Sequence, residues 1–147
     1  MQHTVIICNR IFGERTVVFL NNRMMQQNVN TILVVDDEQL VADLTRDVLQ
    51  RFGYTVLVAG NGEDAVSVYQ QKGREISVVV LDLVMPGASG SEVFRRLRSL
   101  NPEVRVVISS GNGHDADAAE LLRQGAIGFV KKPYRIADLL TAVGKRN

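Results

Sequence analysis

Asp82 closes the apolar run Val78-Val79-Val80-Leu81 and is followed at once by Leu83-Val84-Met85-Pro86-Gly87. A strand that ends in a carboxylate and breaks into a Pro-Gly turn leaves that carboxylate at its C-terminal tip. In an open parallel sheet, ligands bind at that edge. A second apolar run, Ile32-Leu33-Val34-Val35, ends the same way in Asp36-Asp37-Glu38. Two strands thus deliver Asp36, Asp37 and Asp82 to one edge. A single aspartate there would be an ordinary helix cap, but three repel one another unless a cation lies among them. Hard oxygen donors with no His or Cys beside them in sequence favour Mg2+ over zinc.

Two further polar groups fall at the matching place in later strands. One run ends in Ser109-Ser110-Gly111 and the next in Lys131-Lys132-Pro133-Tyr134. A hydroxyl and an ammonium beside three carboxylates and a cation make a place for a phosphoryl group: Lys supplies a point charge and Ser a donor. Each is weak alone. Their shared position at the tips of consecutive strands is the signal.

These tips need a scaffold, and the chain from Thr31 onward supplies one. Short β-branched runs at Ile32–Val35, Thr55–Val58, Ile76–Leu81, Val104–Ser109 and Ala126–Val130 read as strands. Helical spacing is read between and after them, at Gln39–Phe52, Glu63–Gln71, Ser91–Ser99, Asp115–Arg123 and Ile136–Val143. The expected inward stripes are Val41, Leu44, Val48 and Phe52 in the first helix; Ala65, Val66 and Tyr69 in the second; Val93, Phe94 and Leu97 in the third; and Ile136, Leu139, Leu140 and Val143 in the last. Gly53 is a natural stop for the first helix, and Pro102 stops the third from running on. Five strands alternating with five helices imply an α/β fold, a parallel sheet covered on both faces. Right-handed crossovers make it a doubly wound sandwich.

Composition sets the outer bounds. A chain of 147 residues with 46% hydrophobic content is one domain with a real core. The formal net charge of +1 gives no basic field for nucleic acid. No run of about 20 apolar residues is present to cross a membrane. The lone Cys8 cannot form an intrachain disulfide, which fits a reducing, cytoplasmic setting. Residues 1–30 do not follow the alternation and carry +2, from Arg10, Arg15 and Arg23 against Glu14, leaving −1 for the remainder. They hold two apolar runs, Thr4–Ile7 and Thr16–Leu20, which suit a hairpin but lack the two-residue turn signal between them. No basic residue precedes the first run, so a secretory leader is not expected. The expectation is a disordered N-terminal extension over 1–30, or a start placed too early with Met24 or Met25 as the true one, ahead of a domain at 31–147.

The ordered set Ile32–Glu38, Leu81–Gly87 with Gly90, Ser110-Gly111 and Lys132-Pro133 resembles the receiver domain of bacterial response regulators, over about Thr31 to Lys145. The resemblance implies a flavodoxin-like three-layer sandwich with strand order 2-1-3-4-5, counted from Ile32. It implies that Asp82 is the phosphoacceptor, taking a phosphoryl group from a phosphohistidine of a histidine kinase or a histidine phosphotransfer protein to form an acyl phosphate. Asp37 then resembles the direct Mg2+ ligand and Asp36 a ligand through water, with Asp82 and the backbone carbonyl of Val84 completing the protein's share. Lys132 resembles the cation that holds Asp82 and then the phosphoryl group, and its bond to Pro133 is expected to be cis, as is typical of the family. Ser110, followed by Gly111, resembles the switch hydroxyl, with Ser in place of the more common Thr. Phe129 resembles the aromatic that turns inward with it, although a core aromatic would satisfy the same position.

The implied output is a population shift in the surface built by the fourth helix, fifth strand and fifth helix, read by a downstream protein. A receiver of this kind is not an enzyme on external substrates. It catalyses only its own phosphorylation and dephosphorylation, with Val84 and Asn112 flanking the site and tuning the loss of phosphate. Thirty leading residues and a four-residue tail, Gly144 to Asn147, hold no output module, so a single-domain receiver is expected.

Rival readings make distinct demands. A Mg2+-dependent phosphatase of the haloacid-dehalogenase type needs a second Asp two residues after the first, where Val84 stands. A flavodoxin-like nucleotide binder needs phosphate-cradling loops in place of acidic ones. A pseudo-receiver used only for docking would not need the full acidic set. Gly60-Asn61-Gly62 is read as a turn and helix start rather than a dinucleotide fingerprint. Arg95, Arg96 and Arg98 are read as a solvated face. His3 and His114 have no companion ligands and are left outside the site.

Overall fold

The computed structural model describes residues 5–11, 14–20 and 30–144. Met24, Met25 and His3 lie outside the described residues, as does the turn between the two leading strands. Those strands, β1 (Val5–Ile11) and β2 (Glu14–Leu20), pair antiparallel with Val5 opposite Leu20. They form a sheet of their own.

The second sheet begins with β3 (Thr31–Val35) and β4 (Thr55–Ala59), followed by β5 (Ile76–Asp82), β6 (Val106–Ser110) and β7 (Gly128–Lys131). All its pairings are parallel, in the order β4-β3-β5-β6-β7. Counted from β3 this is 2-1-3-4-5. The helices between and after the strands are α1 (Gln39–Arg51), α2 (Gly62–Lys72), α3 (Gly90–Leu100), α4 (Asp115–Arg123) and α5 (Ile136–Gly144).

Successive side chains of a strand point to opposite faces, and β3 is apolar on both. Leu33 and Val35 join the layer packed by α2, α3 and α4, where Ala65, Val66, Tyr69, Phe94 and Leu97 are buried. Ile32 and Val34 join the layer packed by α1 and α5. Helices therefore cover both faces, as unbroken apolar strands require. Among the described residues no helix is long and apolar enough to cross a membrane.

Three sequence expectations are corrected. First, the buried face of α1 is Ala42, Thr45 and Leu49, rather than the stripe Val41, Leu44, Val48 and Phe52; Leu44 and Phe52 are each 58% exposed. The larger apolar side chains turn toward a cleft beside the sheet edge, and small Ala42 lets α1 sit close on the strands. Second, α5 buries Leu139, Ala142 and Val143 while Ile136 stands out. Third, β6 begins at Val106, because the Val104 amide turns back to Asn101 O (3.0 Å). Likewise β7 begins at Gly128, because the Ala126 amide bonds Leu121 O (2.9 Å).

The turns behave as their residues dictate. Gly53 takes φ +89, a left-handed angle that glycine adopts freely, just past Phe52, the C-cap of α1. Asn61 caps α2 by accepting from the Asp64 amide at 2.8 Å, so the Gly-Asn-Gly stretch is a helix start. On α3, Arg96 pairs with Glu63 of α2 (2.5 and 3.1 Å) and Arg98 lies over the Phe94 ring at 5.9 Å.

Candidate functional site

Every residue singled out at the strand tips lies on one edge of the sheet. Asp36 continues β3 by one residue, its amide bonded to Ala59 O at 3.1 Å. Asp82 is the last residue of β5 and lies opposite Ser109 of β6. Lys132 follows β7, its amide bonded to Ser110 O at 2.7 Å. Its peptide bond to Pro133 is cis.

The three aspartates converge. Oxygens of Asp36, Asp37 and Asp82 lie within 4.8 Å of one another. Asp36 and Asp82 are buried, while Asp37 is open to solvent. None of the three caps a helix: Glu38 is the α1 N-cap and Ser89 the α3 N-cap. Instead Asp36 accepts from the Glu38 amide at 2.9 Å and Asp82 from the Val84 amide at 3.2 Å. Each keeps oxygen lone pairs free for other work.

Lys132 bridges the two buried carboxylates. Its Nζ lies 2.6 Å from Asp36 Oδ2 and 3.1 Å from Asp82 Oδ2, with Glu38 farther away at 3.8 Å. Burial works against its charge, but the Asp36 hydrogen bond and the Asp82 charge outweigh burial, and the ammonium is held above its ordinary value. Asp82 is tipped the other way. Burial pushes its carboxyl above the usual aspartate range, even though the Val84 amide and Lys132 favour the charged form. One ammonium among three carboxylates leaves a negative surplus facing solvent. Hard oxygen donors this close, with one side open, fit a divalent cation such as Mg2+.

This edge, on this strand order, can be set against known proteins. The response regulator receiver domain family matches residues 32–144. The chain belongs to that family. It is a receiver domain of two-component signalling. Over 113 residues it is 36% identical to the sensor kinase CckA of Brucella abortus, a match covering 77% of this chain and 12% of that protein. Across the first curated relatives it matches, the chain spans 12% to 49% of their length. A receiver domain from Clostridium thermocellum superposes with a TM-score of 0.75 at 29% identity, covering 78% of this chain and 90% of that one. A complex of CheX and CheY with BeF3 and Mg2+ from Borrelia burgdorferi gives 0.74 at 27% identity, covering 78% and 86%.

The remaining residues singled out from the sequence lie on β6, on β7 and in the loop after β5. Ser110 is fully buried and donates to Gly111 O at 3.2 Å. Ser109 is also buried, with no hydrogen-bond partner for its hydroxyl among the described residues. Phe129 lies opposite Ile108 of β6, half-buried against the α2–α3–α4 layer. The Val84 side chain is 51% exposed at the mouth of the site.

A cleft of about 1230 Å³ opens from Asp82 and Lys132 along α1 and the loop before α5. Val41, Leu44 and Val48 line it, which is where the misplaced α1 stripe goes. His114, left outside the site on sequence grounds, also lines this cleft, 3.4 Å from Asp117.

Two residues of the receiver escaped sequence reasoning. The Tyr134 hydroxyl is hydrogen-bonded to Thr45 of α1. The available signal was Thr45 itself, a polar residue one turn from Ala42 and Leu49 on the buried face.

Proposed function

We propose that this receiver takes a phosphoryl group onto Asp82 from a phosphohistidine of a kinase or phosphotransfer protein. The observation that carries this reading is the Lys132 bridge between Asp36 and Asp82, set against a cluster of three aspartates. An ionised Asp82 oxygen attacks phosphorus; the P–O bond forms as the P–N bond to the donor imidazole breaks, and the leaving nitrogen recovers a proton. Asp36 and Asp37 would hold Mg2+ together with Asp82 and the Val84 carbonyl. Bound there, Mg2+ supplies positive charge that offsets repulsion between the carboxylates and the phosphoryl oxygens. Lys132, already charged and within reach, transfers its contact from the Asp82 oxygen to the phosphoryl group. Burial of Asp82 limits water around the nucleophile and strengthens each of these interactions.

The proposed response is a change of surface. Ser110 gives up Gly111 O for a phosphoryl oxygen, and Phe129 follows it inward beside Ile108. The α4–β7–α5 face then takes the form a downstream protein prefers. On this reading the chain turns over no external substrate and catalyses only its own gain and loss of phosphate. The full acidic set with its lysine supports this over a docking-only receiver, and Val84, where an acid would be needed, disfavours a phosphatase.

The test is phosphorylation by acetyl phosphate with Mg2+. The wild-type chain is expected to take up one phosphoryl group per molecule, acid-stable and hydroxylamine-labile, and Asp82→Asn none. Equal labelling of the variant would remove Asp82 from this role.

A further inference from the structure

We infer that Tyr134 and Thr45 form a positioning pair that sets the reach of Lys132 toward the Asp82 phosphoryl group. The inference rests on the phosphotransfer reading above and adds two residues to its machinery.

The hydrogen-bond direction follows from proton bookkeeping. The Thr45 hydroxyl has one proton, and it lies 2.8 Å from Val41 O, which can only accept. Thr45 therefore donates to Val41, and its remaining contact, with the Tyr134 hydroxyl, must be one in which Tyr134 donates. A chain runs Tyr134 to Thr45 to Val41, each link polarising the next. Burial pushes the Tyr134 phenol above its ordinary value, so it remains a donor.

The location gives this chain its consequence. Lys132 is followed by a three-residue connection, Pro133 to Arg135, before α5 begins at Ile136. On the N-terminal side its backbone is fixed by the bond to Ser110 O at 2.7 Å. On the C-terminal side comes Pro133, which has no amide proton to give and is exposed. Arg135 is exposed as well, and its carbonyl serves the first turn of α5 by accepting from Leu139 at 3.1 Å. Tyr134 is the half-buried side chain of that stretch, packed against the α1–α5 layer.

Asp36 and Thr45 belong to one unit, β3 with α1. That unit grips the loop twice: Asp36 holds the Lys132 ammonium at 2.6 Å, and Thr45 holds Tyr134 two residues on. A lysine side chain has many rotamers and places its charge poorly unless its backbone is fixed. Losing the second grip leaves the first intact but lets the loop drift, and small misplacements of a charge at a reacting centre are costly.

The experiment compares the wild type with Tyr134→Phe, Thr45→Val, Thr45→Ser and the Val/Phe double variant in the full chain. Phe keeps the ring packing and Ser keeps the hydroxyl. The measurements are the rate of Asp82 labelling by acetyl phosphate at saturating Mg2+, beryllofluoride affinity, Mg2+ affinity by calorimetry, and thermal unfolding. We expect Tyr134→Phe and Thr45→Val each to slow labelling and weaken beryllofluoride binding by about tenfold, with Mg2+ affinity held within about twofold. Thr45→Ser should behave as wild type, and the double variant should be no slower than either single one, because both break the same link.

A purely structural role would lower the unfolding temperature without this split between Mg2+ affinity and labelling rate. The inference is overturned if Tyr134→Phe labels at the wild-type rate, if Mg2+ affinity falls in step with the rate, or if the two substitutions multiply. Failure of Tyr134→Phe alone leaves Asp82 phosphorylation standing; a wild-type chain that takes no label removes both.

Discussion

The Lys132 ammonium lies closer to Asp36, at 2.6 Å, than to the proposed nucleophile. All three side chains of this bridge are largely out of water, at 15% exposure for the lysine and 5% for each carboxylate. The pairing therefore has consequences for stability as well as for chemistry.

Removing the lysine tests both at once. Lys132→Ala leaves two buried carboxylates uncompensated and is expected to cost about 3–5 kcal/mol in chelated buffer, the usual penalty for breaking a buried pair. Added Mg2+ should return part of that loss. Labelling by acetyl phosphate should slow by about a hundredfold, the scale of one lost electrostatic stabiliser. Urea melts with and without Mg2+ measure the first effect. A variant as stable as wild type in chelator would show that the bridge contributes nothing to the fold.

Asp82 makes a second prediction, in pH. Its folded-state pKa is raised by burial above the ordinary 3.8. Such a group favours the folded state below the unfolded value, and that contribution is lost as pH rises through the folded value. In chelated buffer Asp82→Asn should therefore gain stability over wild type at neutral pH, and the gain should vanish below pH 3.8. Loss of the Lys132 contact opposes this, but the direction of the shift says that burial wins. Denaturant midpoints across this range decide it; a variant that weakens as pH rises would reverse the sign.

The two faces of α1 give a third prediction. Leu49 is fully buried and Leu44 is 58% exposed. Leu49→Ala should cost about 2–5 kcal/mol, as core truncations do, and Leu44→Ala less than about 1 kcal/mol. Comparable losses at both positions would return α1 to the orientation its hydrophobic stripe suggests.

That helix shows where sequence reading stops. Strand identity was legible because β3 and β5 carry the unbroken apolar runs Ile32–Val35 and Val78–Leu81, a pattern set by burial on two faces. The acidic edge was legible because a carboxylate at a strand tip is fixed by the tip, wherever the helices rotate. Helix orientation depends on fit. Ala42 and Thr45 win the inner face of α1 because their size admits the strands closely, while Leu44 and Val48 find apolar company along the cleft. Strand starts at the far edge were blurred for a local reason: the Val104 and Ala126 amides are claimed by preceding turns. The Tyr134–Thr45 contact joins residues 89 positions apart, and no periodicity encodes such a pairing.

Gly90 opens α3 directly beneath the end of β5, where a side-chain carbon would stand 2.5 Å from the Asp82 carbonyl oxygen and 2.6 Å from Leu83 Cα. Helix and strand meet there with no padding between their main chains. A shift of the Asp82 backbone would meet the α3 main chain directly, with no layer of side chains between them to absorb it.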